Sequence, residues 1–128
     1  MNKAFRTFSV ISLMIAVPSI VVAQSNTAFD GTYAGVSVTA TGADSACKPF
    51  QPKPPPLTIR DGRGQFTAGS FVTGPMVFEG TASPQGDLRM LDMFARNLIG
   101  KIDSSGKATG TVTIADYGCV FIYVWQRQ

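Results

Sequence analysis

The stretch Leu57–Ala68, LTIRDGRGQFTA, gives the clearest indication of fold in this 128-residue chain. It contains two short β-forming segments, LTIR and QFTA, on either side of DGRG. The dipeptide Asp61–Gly62 supplies the positive φ angles that tight hairpin turns require. The sequence therefore predicts an antiparallel β-hairpin, and the remaining chain can be interpreted outward from it.

Similar β-forming segments lie on both sides of this hairpin, with turn residues between them. A first strand is predicted over about Thr32–Thr39. Strand starts that recur every ~8 to 12 residues are typical of an all-β barrel or sandwich. The strands predicted after the hairpin are Met76–Ala82, Asp87–Met93, Asn97–Ile102, Lys107–Ile114 and Cys119–Gln126.

A small antiparallel up-and-down barrel of about seven or eight strands accommodates this pattern, because closure removes the exposed sheet edges that invite aggregation. Glycine inside a strand weakens it unless the backbone bends or approaches a neighbour closely. The glycines within the predicted strands therefore favour a narrow, strongly coiled barrel. They are Gly35, Gly80, Gly100 and Gly110.

The N-terminal segment has the layout of a secretory signal peptide. Lys3 and Arg6 form its positive part, Val10–Val17 its apolar part, and VVA ending at Ala23 its cleavage site. A permanent membrane anchor is disfavoured, because Pro18 interrupts the apolar run before the ~20 residues that a spanning helix needs.

We therefore predict a signal peptide at 1–23 and a single domain at 24–128 that is periplasmic or secreted. Cleavage would remove two cations and lower the formal charge from +3 to +1. A nearly neutral chain without a basic run lacks the electrostatic footprint of a nucleic-acid-binding protein. Most predicted strands are also shorter than the ~9 to 11 residues that a membrane barrel uses. We expect neither nucleic-acid binding nor membrane spanning after cleavage.

The chain has two cysteines, Cys47 and Cys119, and both lie in the part predicted to be exported. In an oxidising compartment a disulfide is the default state of such a pair. A zinc site is disfavoured, because zinc takes four nitrogen or sulfur ligands and the chain has no histidine. In the chain-entropy model, closing so long a loop contributes roughly 4 kcal/mol.

The segment Gly42–Pro56, GADSACKPFQPKPPP, is predicted to be a loop. Its closely spaced prolines forbid a helix and favour an extended polyproline conformation. We interpret this proline-rich loop as a stiff connection to the next strand rather than as a ligand for a proline-binding domain, since such domains are mainly intracellular.

The last predicted strand is apolar on both faces. Phe121, Tyr123 and Trp125 point to one side, whereas Val120, Ile122 and Val124 point to the other. In one interpretation the aromatic row fills the barrel and the proline-rich loop lies over the opposite face. In the other, an aromatic surface binds a ligand, either as a pocket wall or as an exposed patch. The candidate binding residues are Tyr33, Phe121, Tyr123 and Trp125.

The sequence contains no recognisable catalytic constellation. The absence of histidine excludes Ser/His/Asp and Cys/His catalysis. Most aspartates lie in turn contexts, where they cap backbone amides. Glu79 and Asp92 fall within predicted strands near Arg89 and Arg96, so a buried ion pair or simple exposure accounts for them. We therefore predict a protein that is not an enzyme and that has no cofactor and no metal.

The chain begins with FDGTYAG, continues with strands separated by turns, and ends in an aromatic strand that closes with WQRQ. This layout resembles that of small exported bacterial β-barrel proteins. In size and single disulfide the chain is similar to barrel inhibitors of secreted metalloproteases. DGTYAG is similar to the first-strand GTW of lipocalin-like and avidin-like barrels, with Tyr33 in place of their tryptophan.

These observations lead to two functional expectations. The two-sided apolar last strand favours an exported binding module for a small apolar ligand or a protein partner. The resemblance to the inhibitors implies a periplasmic protease inhibitor that acts through its N-terminal segment, Gln24–Asp30.

Overall fold

The computed structural model of the protein describes residues 11–16, 26–49, 51–71 and 74–128. Eight antiparallel strands form a closed barrel, in which each strand pairs with its neighbours in sequence and the last strand pairs with the first. The predicted all-β up-and-down barrel is therefore confirmed. The strands are β1 (Gly31–Thr41), β2 (Leu57–Arg60), β3 (Arg63–Phe71), β4 (Gly74–Ala82), β5 (Asp87–Leu91), β6 (Asn97–Ile102), β7 (Lys107–Ile114) and β8 (Cys119–Arg127).

The connections divide between two ends of the barrel. The turn end holds the short turns 61–62, 83–86 and 103–106. The loop end holds the proline-rich loop at 42–56, the turn at 92–96 and a short 3₁₀ turn at Ala115–Tyr117. This alternation follows from the up-and-down order of the strands.

The hairpin that indicated the fold is present. Asp61 and Gly62 have φ angles of 52° and 74°, as a two-residue turn with both central residues in the left-handed region requires. The predicted strand Asp87–Met93 is too long, because β5 ends at Leu91 and the following residues form a turn.

The interior of the barrel is filled with side chains rather than hollow. The ring of Phe66 meets the rings of Tyr123 and Trp125 edge-on, with centroids 5.0 Å and 4.9 Å away. The fully buried set spans nearly every strand, so one continuous core holds the barrel together. Its largest members are Trp125, Tyr33, Phe66, Phe78, Leu57, Leu88, Met90, Leu98 and Ile102.

Two strand glycines allow neighbouring backbones to approach closely. A Cβ atom at Gly80 would lie 1.9 Å from the carbonyl oxygen of Arg89, and one at Gly100 would lie 1.9 Å from that of Thr109. Any larger residue would push the paired strands apart. The close approach predicted from glycines inside strands is thus confirmed at these positions.

The proline-rich loop completes the barrel wall where β2 is short. β2 pairs with β1 only at Gly31–Tyr33, and farther along β1 the amide of Val38 donates to the carbonyl of Pro52 at 3.2 Å. The indole Nε1 of Trp125 donates to the carbonyl of Pro55 at 2.9 Å. The loop thus lies beside β1 and over the interior.

The predicted position of this loop over Val120 and Ile122 is wrong. Ile122 remains 38% exposed, and the loop instead contacts the end of the interior beside Phe121 and Tyr123. The physical reason is the gap beside β1, which the loop fills by pairing with the strand edge.

The predicted disulfide joins Cys47 in the loop to Cys119 at the start of β8. The two residues are 72 positions apart in sequence and their Cα atoms are 5.2 Å apart. Both are buried, so the bridge fixes the loop against the barrel from the inside.

The predicted signal peptide lies largely outside the described residues; 11–16 alone are described, and they have no regular secondary structure. Within the described ranges, no helix is long and apolar enough to cross a membrane.

Candidate functional site

The four aromatic residues singled out from the sequence lie inside the barrel. Tyr33, Phe121, Tyr123 and Trp125 are between 0 and 5% exposed. The hydroxyl of Tyr33 donates to the carbonyl of Phe29 at 2.6 Å. This arrangement matches the interpretation in which the aromatic row fills the barrel, and none of the four forms an exposed patch.

Phe121 and Tyr123 line a small cavity at the loop end. Pro54, Pro55 and Met76 form part of the same wall, and the cavity volume is about 30 Å³. Sites for small organic ligands usually measure ~300 to 1,000 Å³. This space, as the described residues enclose it, is too small for such a ligand.

Tyr123 is a neutral phenol across the physiological pH range. Burial raises its pKa to about 12, and the positive charge of Arg96 opposes that effect. Its proton is therefore held too tightly for general acid or base work near neutral pH.

Asp92 and Arg96 form a compact ion pair in the turn between β5 and β6. Arg96 Nε lies 2.6 Å from Asp92 Oδ2, and Asp92 Oδ1 accepts hydrogen bonds from the backbone amides of Phe94 and Arg96. The prediction that Asp92 forms a buried ion pair is confirmed. The prediction that Asp92 lies within a strand is wrong. Asp92 ends the strand because its carboxylate caps the turn, whereas Glu79 is exposed on β4.

Exposed apolar side chains gather on the outer surface near this turn. Phe94 and Ile99 are each 55% exposed and line one groove of about 640 Å³ with Tyr117, Thr113 and Asp116. Leu91 and Met93 are also exposed and lie in the same hairpin. We call Leu91, Met93, Phe94 and Ile99 the apolar patch.

A second outer groove lies at the turn end and is polar. It has a volume of about 1,070 Å³, and its walls come from the ends of β1 to β4. Three carboxylates and two arginines line it, namely Asp30, Asp61, Glu79, Arg60 and Arg63. None of the residues lining this groove is aromatic.

Neither outer groove was predicted from the sequence. In β6, Leu98 points inward and Ile99 outward, so two neighbouring apolar residues conceal which face is exposed. The only available signal was the repeated arginine on either side of the Asp61–Gly62 turn.

Within the residues that the structure covers, no cluster of three or more Cys, Asp or Glu side chains could hold a metal ion. Comparison of the chain with protein-family models, curated proteins and solved structures gives no match. The resemblances noted from the sequence therefore stay predictions.

Proposed function

We propose that the protein is an exported, non-enzymatic binding module that docks a protein partner through the apolar patch on its outer surface. This proposal rests on the filled interior, because side chains occupy the space that a ligand inside the barrel would need and leave the outer surface for binding. Exposed contiguous apolar area is typical of interaction sites.

The charges around the groove define the kind of partner. Arg96 is already paired with Asp92, whereas Asp116 has no ion pair among the residues described. The groove can therefore bind an apolar side chain against Phe94 and Ile99 and a cation beside Asp116. A partner segment with an apolar anchor beside Lys or Arg would complement both features.

The inhibitor alternative stays a prediction. It requires the segment before β1 to enter a protease cleft. The described part of this segment lies at the turn end. There Asn26 Nδ2 donates to the carbonyl of Ala82 at 2.6 Å, and the Asp30 carboxylate accepts hydrogen bonds from the amides of Asp61 and Gly62.

A photo-crosslinking amino acid at Thr113 tests the proposal in the cell envelope without altering the patch itself. Thr113 is exposed and lines the groove, whereas Lys101 on β6 is exposed nearer the turn end and provides a matched control. We expect one discrete adduct from position 113 and none from position 101. Mass spectrometry of the adduct should identify an apolar anchor flanked by a cation.

Two further variants test whether formation of the adduct depends on the groove. Ile99→Lys and Asp116→Lys, each combined with the crosslinker at position 113, should abolish the adduct because they disrupt the apolar and the acidic component in turn. Both residues are exposed, so thermal melting should be unchanged. Equal adducts from positions 113 and 101, or an adduct that survives both substitutions, would exclude the patch as the docking site.

A further inference from the structure

The turn between β5 and β6 places a methionine at the surface. Met93 is 85% exposed, whereas Met76 on β4 and Met90 on β5 are 3% and 2% exposed. Two further methionines, Met1 and Met14, fall within the predicted signal peptide. The predicted domain has three methionines, all within the described residues, and Met93 is the one whose thioether a reagent in solvent reaches directly.

The backbone of this turn is fixed by contacts that do not involve the side chain of Met93. Asp92 Oδ1 accepts hydrogen bonds from the amides of Phe94 and Arg96 at 3.0 Å and 2.8 Å. The amide of Ala95 donates to the carbonyl of Asp92 at 3.1 Å, and Ala95 has a left-handed φ of 58°. A chemical change at the sulfur of Met93 should therefore leave the turn intact.

The apolar surroundings of Met93 make its oxidation state important for binding. Leu91 and Phe94, its neighbours in the apolar patch, are 50% and 55% exposed. Oxidation converts the apolar thioether into a polar sulfoxide and disrupts interfaces that contain methionine. Buried against an apolar anchor, the sulfoxide oxygen would lose its hydrogen bonds to water without replacement, and this loss disfavours association.

We propose that Met93 is a site of reversible oxidation that weakens docking at the apolar patch, an inference that rests on the function proposed above. The oxidant is a hydroperoxide, and hydrogen peroxide is its simplest member. A lone pair of the sulfur attacks one peroxide oxygen, the O–O bond breaks, and the second oxygen leaves as water after taking the proton of the transferred hydroxyl. Sulfur loses two electrons and the peroxide gains two.

The reverse step uses a reductant of a different class. Methionine sulfoxide reductases return the sulfoxide to the thioether. The sulfoxide oxygen leaves as water, while a dithiol supplies two electrons and two protons and becomes a disulfide. The exposure of Met93 gives such an enzyme access to the sulfoxide.

Graded treatment of the purified protein with hydrogen peroxide, followed by mass spectrometry of its peptides, tests the site. Met93 should gain an oxygen at least about tenfold faster than Met76 and Met90, because susceptibility follows exposure. Thermal melting should be unchanged at the peroxide concentration that converts Met93 alone. Equal oxidation rates at the three positions would overturn the proposal.

The photo-crosslinking amino acid at Thr113 then measures the effect on docking. Treatment of cell envelopes with the same peroxide concentration before irradiation should lower the adduct yield by about threefold to tenfold, as expected when an interface must bury an unpaired polar group. Met93→Leu has no thioether at this position and should retain its adduct. Met93→Gln carries a permanent polar group and should give a reduced adduct without oxidant. Val36→Gln makes a similar change at an exposed residue of β1 outside the patch and should give the full adduct.

These results separate the oxidation switch from the docking function. Absence of any adduct before oxidation would overturn docking at the patch, and the switch with it, even if Met93 is oxidised selectively. Equal sensitivity of the adduct to peroxide in Met93→Leu would overturn the switch alone and place the oxidised group on the partner. An adduct that survives complete oxidation of Met93, or one that is lost in Val36→Gln, would also contradict the switch.

Discussion

The short turns and the proline-rich loop are held in place in different ways. In the turn 103–106, Asp103 Oδ1 accepts hydrogen bonds from the amides of Ser105 and Lys107, two and four residues away. In the proline-rich loop, the disulfide joins residues 72 positions apart, and the bond from Trp125 to Pro55 joins residues 70 apart. The turn is thus specified by a short sequence motif and the loop by contacts that exist only after the barrel has closed.

This difference predicts that losing the contacts of the proline-rich loop will cost more stability than losing those of a turn. The largest effect is expected from the double variant Cys47→Ser/Cys119→Ser, which releases the loop covalently. In the chain-entropy model a bridge over this separation contributes roughly 4 kcal/mol, a large part of the stability of a small domain. Urea unfolding followed by circular dichroism measures the loss.

Hydrogen exchange would sharpen this result. The amide of Val38, bonded to Pro52, should lose more protection in the double variant than the amide of Lys107, bonded to Asp103. A loss well below the expected free energy, together with equal changes at the two amides, would show that the bridge does not secure the loop end.

An intermediate effect is expected from Trp125→Phe. The substitution leaves the Pro55 carbonyl without its donor and reduces core volume, at a cost of roughly 2 kcal/mol. Tyr33→Phe is the matched control, because it removes a hydroxyl bonded to Phe29, only four residues away, from an equally buried ring. It should cost about 1 kcal/mol and leave Val38 exchange unchanged. Equal costs and equal exchange would contradict the distinction between the contacts of the loop and the local contacts.

The smallest effect is expected from Asp103→Asn at the turn end. Hydrogen bonds, above all from the Ser105 side chain, hold the pKa of Asp103 below its ordinary value of 3.8. A carboxylate with a lowered folded pKa stabilises the protein above its unfolded pKa and loses that contribution as pH falls through the folded value. Wild type should therefore be slightly more stable than the variant at neutral pH, and the difference should disappear in acid.

Thermal melting over a pH series measures this difference. A constant difference between wild type and Asp103→Asn from neutral to strongly acidic pH would show that the charge of Asp103 contributes nothing and that only its shape matters.

The same contrast explains how far the sequence was informative. The hairpin at Asp61–Gly62 and the turn after Asp103 were predictable, because their geometry depends on residues within four positions of one another. The position of the proline-rich loop was not, since it depends on the gap beside β1 that the short β2 leaves. The pairing of Cys47 with Cys119 was predictable only because the chain has no other cysteine.

The outer grooves were even harder to predict from the sequence. Alternation assigns residues to two faces but does not say which face is exposed when both are apolar, as at Leu98 and Ile99. Cross-strand neighbours such as Ile99 and Thr111, which line the same groove, are brought together by register, which the sequence does not display directly.

The position of Trp125 gives the protein a built-in optical reporter. It is the only tryptophan in the chain. Its ring stacks on Tyr123 with centroids 5.6 Å apart and meets Phe66 edge-on, while its nitrogen is bonded to the proline-rich loop. Its emission should be shifted to short wavelength, and the coupled rings should give a strong near-ultraviolet dichroic band. One chromophore would thus register any movement of the loop, of β3 or of β8 without an added label.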